Sequence, residues 1–195
     1  STPQVYILSL HDALPIYAYE QQNIFETFIN EYHLRDRGIL IHAANSAATI
    51  KMPQAHYDMV RCGISMYGYY SRRMSNPPVH LKPALKLQAP VTQLKHIPAG
   101  HSVSYGRSFI PQRDTLAAIV PLGYADGYRR CFSNRAKMKI RNHFVPVIGR
   151  VCMDQVILDV TDIQDIRLGQ MVTVLDNCHD SECSAYALAD LADKM

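Results

Sequence analysis

The chain has 195 residues, 48% of them hydrophobic, enough for one sizeable core or two small ones. Charged residues make up 19% and the formal net charge is +3, with short basic pairs such as Arg72-Arg73 and Arg129-Arg130 scattered as solvated surface. That excludes the clustered basic stripe of a nucleic-acid-binding protein, and no apolar run approaches the ~20 residues needed to cross a bilayer.

In chain order, residues 7–16 read ILSLHDALPI, which resembles the translation of a sequencing adapter in one frame. Residues 1–16 are therefore expected to be a non-native leader. The plain alternative is a strand and turn starting in the apolar run at 5–10. From 17 to about 34 the spacing predicts a helix, with Ile24, Phe25, Phe28, Ile29 and Tyr32 recurring every three or four residues. Gly38 follows as a stop signal. Residues 39–43 form a short apolar run of buried-strand type. Asn45 and Ser46 then offer helix N-cap chemistry. A second helix is expected over 47–60, broken or kinked by Pro53. Residues 62–67 make another buried-strand run, closed by Gly68. Helix, strand, helix, strand is the rhythm of a parallel α/β unit.

The texture changes at a polar, Pro-containing linker over 74–78, so a domain boundary is expected near residue 76. Beyond it, short apolar runs at 84–91, 116–120, 138–140, 145–148, 151–160 and 171–175 are punctuated by glycines, the signature of an antiparallel β domain. Residues 184–195 read as an amphipathic helix carrying Ala185, Leu188, Leu191 and Ala192, with no C-cap signal where the chain stops. Five cysteines (Cys62, Cys131, Cys152, Cys178 and Cys183) without regular spacing suit a reducing cytoplasm, not a disulfide framework. The Cys178-His179-Asp180 run with Cys183 lacks a second ligand pair and reads as a polar turn, so no metal is expected.

Several motifs could carry chemistry. HAANSAA (42–48) lies where a strand gives way to a helix, and its serine and backbone N–H groups could hold a phosphate. On this feature alone, an ordinary N-cap is the better reading. Arg61 borders an apolar strand and needs a partner there, such as Asp58, because an unpaired buried charge is costly. SVSYG (102–106), GYADGY (123–128) and GRVCMDQ (149–155) supply tyrosines and turns, and a tyrosine is most often a packed ring with a satisfied hydroxyl.

Taken together, HAANSAA, VRCGISMYG, SVSYGRSF, PLGYADGY and GRVCMDQ, in this order and spacing, resemble the alanine racemase family from about residue 19 to 195. The resemblance implies an α/β plus β fold. Residues 17–75 would be the last part of a (β/α)8 TIM-type barrel, and 76–195 a mostly antiparallel C-terminal β domain. It implies a cytoplasmic isomerase that interconverts L- and D-alanine by two-base proton exchange on a pyridoxal 5'-phosphate aldimine, supplying D-alanine for peptidoglycan. It also implies a homodimer whose active site is shared between subunits.

By the same resemblance, Ser46 and backbone groups near Gly63 and Ile64 bind the cofactor phosphate, with Asn45 beside them. Arg61 meets the pyridine nitrogen and His42 hydrogen-bonds to Arg61. Tyr105 is the catalytic acid/base on one face of the substrate. Met153 binds the substrate carboxylate through its backbone, Tyr124 lines the entrance, and Asp154 adjoins Met153. The family's cofactor lysine and substrate-binding arginine match no residue here, and Lys51 fits no family role. The 195 residues alone are thus expected to be inactive. Two alternatives stay open: a non-catalytic dimerisation or binding module derived from the fold, and a racemase of another amino acid such as serine or lysine, or one of broad specificity.

Overall fold

The computed structural model describes residues 15–71 and 76–192. Residues 1–14 of the expected leader lie outside the described residues, as do residues 72–75 of the linker region and the last three residues of the chain, 193–195. The chain forms two compact units that divide between Ala84 and Leu85.

The first unit opens with helix α1, Pro15–Glu31, where proline occupies the first helical position and no further proline or glycine interrupts the run. Its buried stripe is Ala18, Gln22, Phe25 and Ile29, spaced four, three and four residues apart. Ile24 and Tyr32, expected on that face, are exposed, so the apolar face is rotated from the sequence reading. A 3₁₀ turn at Leu34–Arg37 ends at Gly38, whose φ of 64° is left-handed.

Three sequence expectations are corrected in the next thirty residues. The run at 39–43 buries Ile41 and Ala43, but among the described residues it forms no strand, only an isolated parallel bridge between His42 and Met59 beside a bond from the Asp58 N–H to the Ile41 carbonyl at 3.1 Å. The Ile41 N–H donates to the Asp58 carboxylate at 2.8 Å, which occupies a donor that a strand would give to a neighbour. The second helix, α2, is only Ser46–Lys51. Pro53 has no N–H to continue it and forces Met52 into a non-helical conformation, so a 3₁₀ turn at Pro53–Ala55 follows instead of helix up to residue 60. Residues 62–67 are not a buried strand. Ile64–Tyr67 is a 3₁₀ turn with Ile64, Met66 and Tyr67 exposed. The Ser46 hydroxyl accepts the Gly63 and Ser65 N–H groups that a sheet would otherwise use. Among the described residues this unit contains no named strand.

The second unit is β-rich and antiparallel, as its punctuated apolar runs predict. Its strands are β1 (Leu87–Pro90), β2 (Gln93–Ile97), β3 (Thr115–Val120), β4 (Lys137–Ile140), β5 (His143–Pro146), β6 (Val156–Asp159) and β7 (Met171–Leu175). They form a four-stranded sheet in the order β1-β7-β4-β5 and a three-stranded sheet in the order β2-β3-β6. Every pairing is antiparallel, and a bridge between Val147 and Leu158 ties the sheets together. Of the run at 151–160 only the second half is strand; its first half is a loop. Prolines sit on both edge strands of the larger sheet, Pro90 in β1 and Pro146 in β5, where a missing N–H leaves no ladder bond broken. Met138, Ile140, Val145, Val147, Val156, Leu158, Val172 and Val174 fill the core between the sheets. Burying each such side chain stabilises the unit by about 1.5–3 kcal/mol. Helix α3, Ala185–Ala192, starts behind Ser184, whose hydroxyl accepts the Ala187 N–H, and packs Leu188, Leu191 and Ala192 on this core.

Candidate functional site

In the first unit, a cavity of about 230 Å³ is lined by Asn45, Ser46, Ala47, Arg61, Gly63, Ile64 and Ser71. Asn45 caps α2: its side-chain oxygen accepts the N–H groups of Ala47 at 3.1 Å and Ala48 at 3.0 Å. That fixes Ser46 at the cavity wall. The Ser46 Oγ accepts the Gly63 N–H at 2.8 Å and the Ser65 N–H at 3.3 Å, so its own proton remains to be donated. The hydroxyl thus joins the start of α2 to the 3₁₀ turn on the opposite wall.

Arg61 enters the same wall. Its backbone N–H donates to the Ala44 carbonyl at 2.8 Å, and its guanidinium Nη1 lies 3.1 Å from Nδ1 of His42. His42 is buried, and its pKa is pulled below the usual histidine value first by burial and then by the charge of Arg61. A neutral imidazole with its Nδ1 lone pair toward Arg61 satisfies both groups. Asp58, considered from sequence as a partner for Arg61, is instead engaged by the Ile41 N–H. The structure therefore brings Asn45, Ser46, Arg61, Gly63 and Ile64 around one small cavity, with His42 behind Arg61. Ser71 joins the lining without any sequence signal beyond its place after the Gly68 turn.

The second unit collects the remaining candidates on three loops, at 103–109, 123–128 and 149–155. Tyr105 is 72% exposed and Met153 59% exposed. Tyr124 is also exposed, with the Arg130 guanidinium 5.8 Å from its ring centroid. Asp154 is exposed beside Met153. The loops interlock through backbone. Tyr124 and Ala125 donate their N–H groups to the Cys152 and Met153 carbonyls, both at 3.0 Å. Gly123 permits this approach, because a Cβ there would lie 2.3 Å from the Cys152 carbonyl oxygen. Asp126 closes the turn by accepting the Gly123 N–H at 2.9 Å.

The Tyr105 turn is strained. Ser104 has φ 64° and ψ −178°, a region that is nearly restricted to glycine and costs other residues on the order of 1–3 kcal/mol. Its hydroxyl donates to the Arg150 carbonyl at 2.8 Å. Gly149 makes room for it: a Cβ on Gly149 would lie 2.6 Å from that of Ser104. Asn134, also left-handed with φ 56°, accepts the Gly149 N–H and donates to the Ser108 carbonyl at 3.1 Å. Sequence reading missed Ser104, Asn134 and Arg150 as contributors; an asparagine's tolerance of positive φ was the one available hint.

The Cys178–Cys183 segment is a turn with Cys178 exposed and Cys183 buried. Among the described residues no group of three or more His, Cys, Asp or Glu side chains is placed to hold a metal. Among them, too, no helix is long and apolar enough to cross a membrane.

Comparison with known proteins gives a consistent result. Residues 84–195 match the family model described as "Alanine racemase, C-terminal domain", and residues 7–71 match "Alanine racemase, N-terminal domain". The chain is 40% identical over 179 residues to alanine racemase 1 of Clostridium acetobutylicum, covering 90% of this chain and 46% of that protein. It is similar in structure to the alanine racemase of Clostridium difficile 630 in complex with cycloserine, with a TM-score of 0.78 at 30% identity, over 96% of this chain and 48% of that one. It is also similar to the alanine racemase of Bartonella henselae with covalently bound pyridoxal phosphate, with a TM-score of 0.66 at 29% identity, over 79% and 42% respectively. The chain thus spans about half the length of the relatives it matches.

Proposed function

Because the chain belongs to the alanine racemase family, we propose that it is the carboxyl-terminal part of a pyridoxal-phosphate-dependent racemase that interconverts L- and D-alanine. Residues 17–75 would close its (β/α)8 barrel and 76–195 would form its β domain. The observation that carries the reading is the cavity at Ser46, where a hydroxyl, a guanidinium and a turn of backbone face one small volume.

The donor set fits the cofactor. Phosphate oxygens take donors only, and Ser46 has a proton to give from a position braced by Gly63 and Ser65. Arg61 fits the pyridine nitrogen because a guanidinium donates a hydrogen bond and does not supply a carboxylate's negative charge. His42, held neutral, orients Arg61 without adding a competing positive charge. When bound, the cofactor acidifies the α-proton of the amino acid, and an arginine at its ring keeps that activation moderate, which suits simple proton exchange.

The second unit supplies the other half of the chemistry. Tyr105, exposed on its strained turn, exchanges a proton with the α-carbon on one face of the substrate. Met153 holds the substrate carboxylate through its backbone, with Asp154 adjacent, and Tyr124 borders the entrance. Exposure of Tyr105, Tyr124 and Met153 on one loop cluster supports their use against a second subunit of a homodimer. The setting is the cytoplasm, and the product is D-alanine for peptidoglycan.

The test is to express the complete reading frame that contains this chain and follow L-alanine by polarimetry. Conversion to the racemate, lowered by Tyr105→Phe to the same degree in both directions because the two enantiomers are equal in free energy, is the expected result. No conversion by a cofactor-saturated, folded protein would overturn the proposal, and a clear preference for serine or lysine would reassign the substrate.

A further inference from the structure

Tyr105 sits on a turn that is fastened at both ends to its surroundings. On one side the Ser104 hydroxyl donates to the Arg150 carbonyl at 2.8 Å and lies 3.7 Å from the Cys152 sulfur. On the other, Asn134 reaches the Ser108 carbonyl at 3.1 Å through its amide nitrogen and takes the Gly149 N–H on its amide oxygen. Both clamping residues hold positive φ, 64° at Ser104 and 56° at Asn134. Asparagine tolerates its value, but a free loop would leave the Ser104 conformation, so the bond to the Arg150 carbonyl maintains it. That segment leads directly into Met153.

We propose that Ser104 and Asn134 are positioning residues, a two-sided clamp that fixes the Tyr105 hydroxyl relative to Met153. The proton-exchanging group and the carboxylate anchor then move as one piece. The inference rests on the roles proposed above for Tyr105 and Met153. A displacement of about 1 Å between a catalytic group and its target costs on the order of 100-fold in rate, so the clamp matters even though neither residue touches substrate.

Ser104→Gly separates positioning from stability. Glycine adopts the φ of Ser104 without strain, which offsets the lost hydroxyl bond, so the melting temperature stays near that of the wild type. In the complete racemase, S104G and N134A are expected to lower kcat by about 10- to 100-fold with KM within about twofold. The α-deuterium isotope effect should rise in only one direction of racemisation, because Tyr105 serves one face. Independently of turnover, hydrogen exchange of the peptide spanning 103–109 should accelerate in both variants while the β3 peptide is unchanged. Wild-type kcat, isotope effects and exchange in both variants would overturn the clamp while leaving the racemase reading intact. So would losses that merely track the fraction of folded protein. An inactive wild type would remove that reading and this inference with it.

Discussion

Gly123→Ala isolates the cost of forcing two loops apart. The backbone at Gly123 is extended, with φ −148°, so alanine adopts it freely. The added Cβ would lie 2.3 Å from the Cys152 carbonyl oxygen and 2.4 Å from that of Met153, about 1 Å inside ordinary contact. Both obstacles are backbone and cannot swing aside as a side-chain tip would. Relief requires the 149–155 loop to retreat, which stretches the bonds from Tyr124 and Ala125, each 3.0 Å long. Two hydrogen bonds at about 0.5–1.5 kcal/mol each, with about 1 kcal/mol or more of residual overpacking, give an expected loss of about 2–4 kcal/mol. The control is Gly169→Ala. Gly169 has φ 79° and open space around it, so only the left-handed penalty of about 1–2 kcal/mol applies. Urea unfolding followed by far-UV circular dichroism in the β-sheet band measures both, with the slope of the transition checked for constancy. If G123A costs no more than G169A, the close approach is not what holds these loops together.

The Tyr128 hydroxyl is buried without a hydrogen-bond partner, and burial pushes its pKa well above the usual phenol value. Tyr128→Phe should therefore leave stability within about 1 kcal/mol of wild type or raise it, and a loss above that range in urea would reveal a hidden partner. Asp176 is pushed up by burial, but hydrogen bonds from Lys139 and Ser181 and the charge of Lys139, 3.0 Å away, outweigh this and leave its pKa below the usual carboxylate value. Its stabilisation is present above about pH 3.9 and lost as the pH falls through the lower folded value. Asp176→Asn should cost about 1–3 kcal/mol at neutral pH, and the gap to wild type should close in acid; a gap that persists there would refute the ion pair as its source. His42 titrates below the usual histidine range, so its contribution to stability is complete above about pH 6.5 and is lost as the pH falls from there toward the folded value. His42→Gln should flatten the drop in urea midpoint between about pH 7.5 and about pH 5.5, whereas an equal drop in both proteins would assign that sensitivity elsewhere.

The β domain was legible because each of its core strands writes its burial into composition. β7 coincides with the run read at 171–175, and β3 and β4 begin one residue before theirs. β2 escaped because it is an edge strand with mostly exposed positions, and Gln93, Lys95 and His96 carry no apolar alternation. The turn at Ile64–Tyr67 failed the opposite way: its apolar residues suggest burial, yet three of them face outward. Short apolar runs cannot be assigned by periodicity alone, and here side-chain bonds from Ser46 decided the outcome. For the candidate site, Ser46, Arg61 and Tyr105 were recognisable from motifs. The strain at Ser104 was not, since no local signal announces positive φ in a serine; it exists only because Gly149 and Arg150 lie against it.

The larger sheet pairs its first strand with its last, Leu87 opposite Leu175. During synthesis β1 leaves the ribosome with nothing to pair against, while the β4–β5 hairpin can close as soon as it emerges. At roughly 5–20 residues per second, β1 waits on the order of 4–17 seconds for β7. Through that interval the nascent chain exposes an open strand edge and half of a core, and that is when a holdase chaperone has most to protect. A ribosome that stalls before Met171 leaves a sheet that cannot close, whatever the quality of the residues already made.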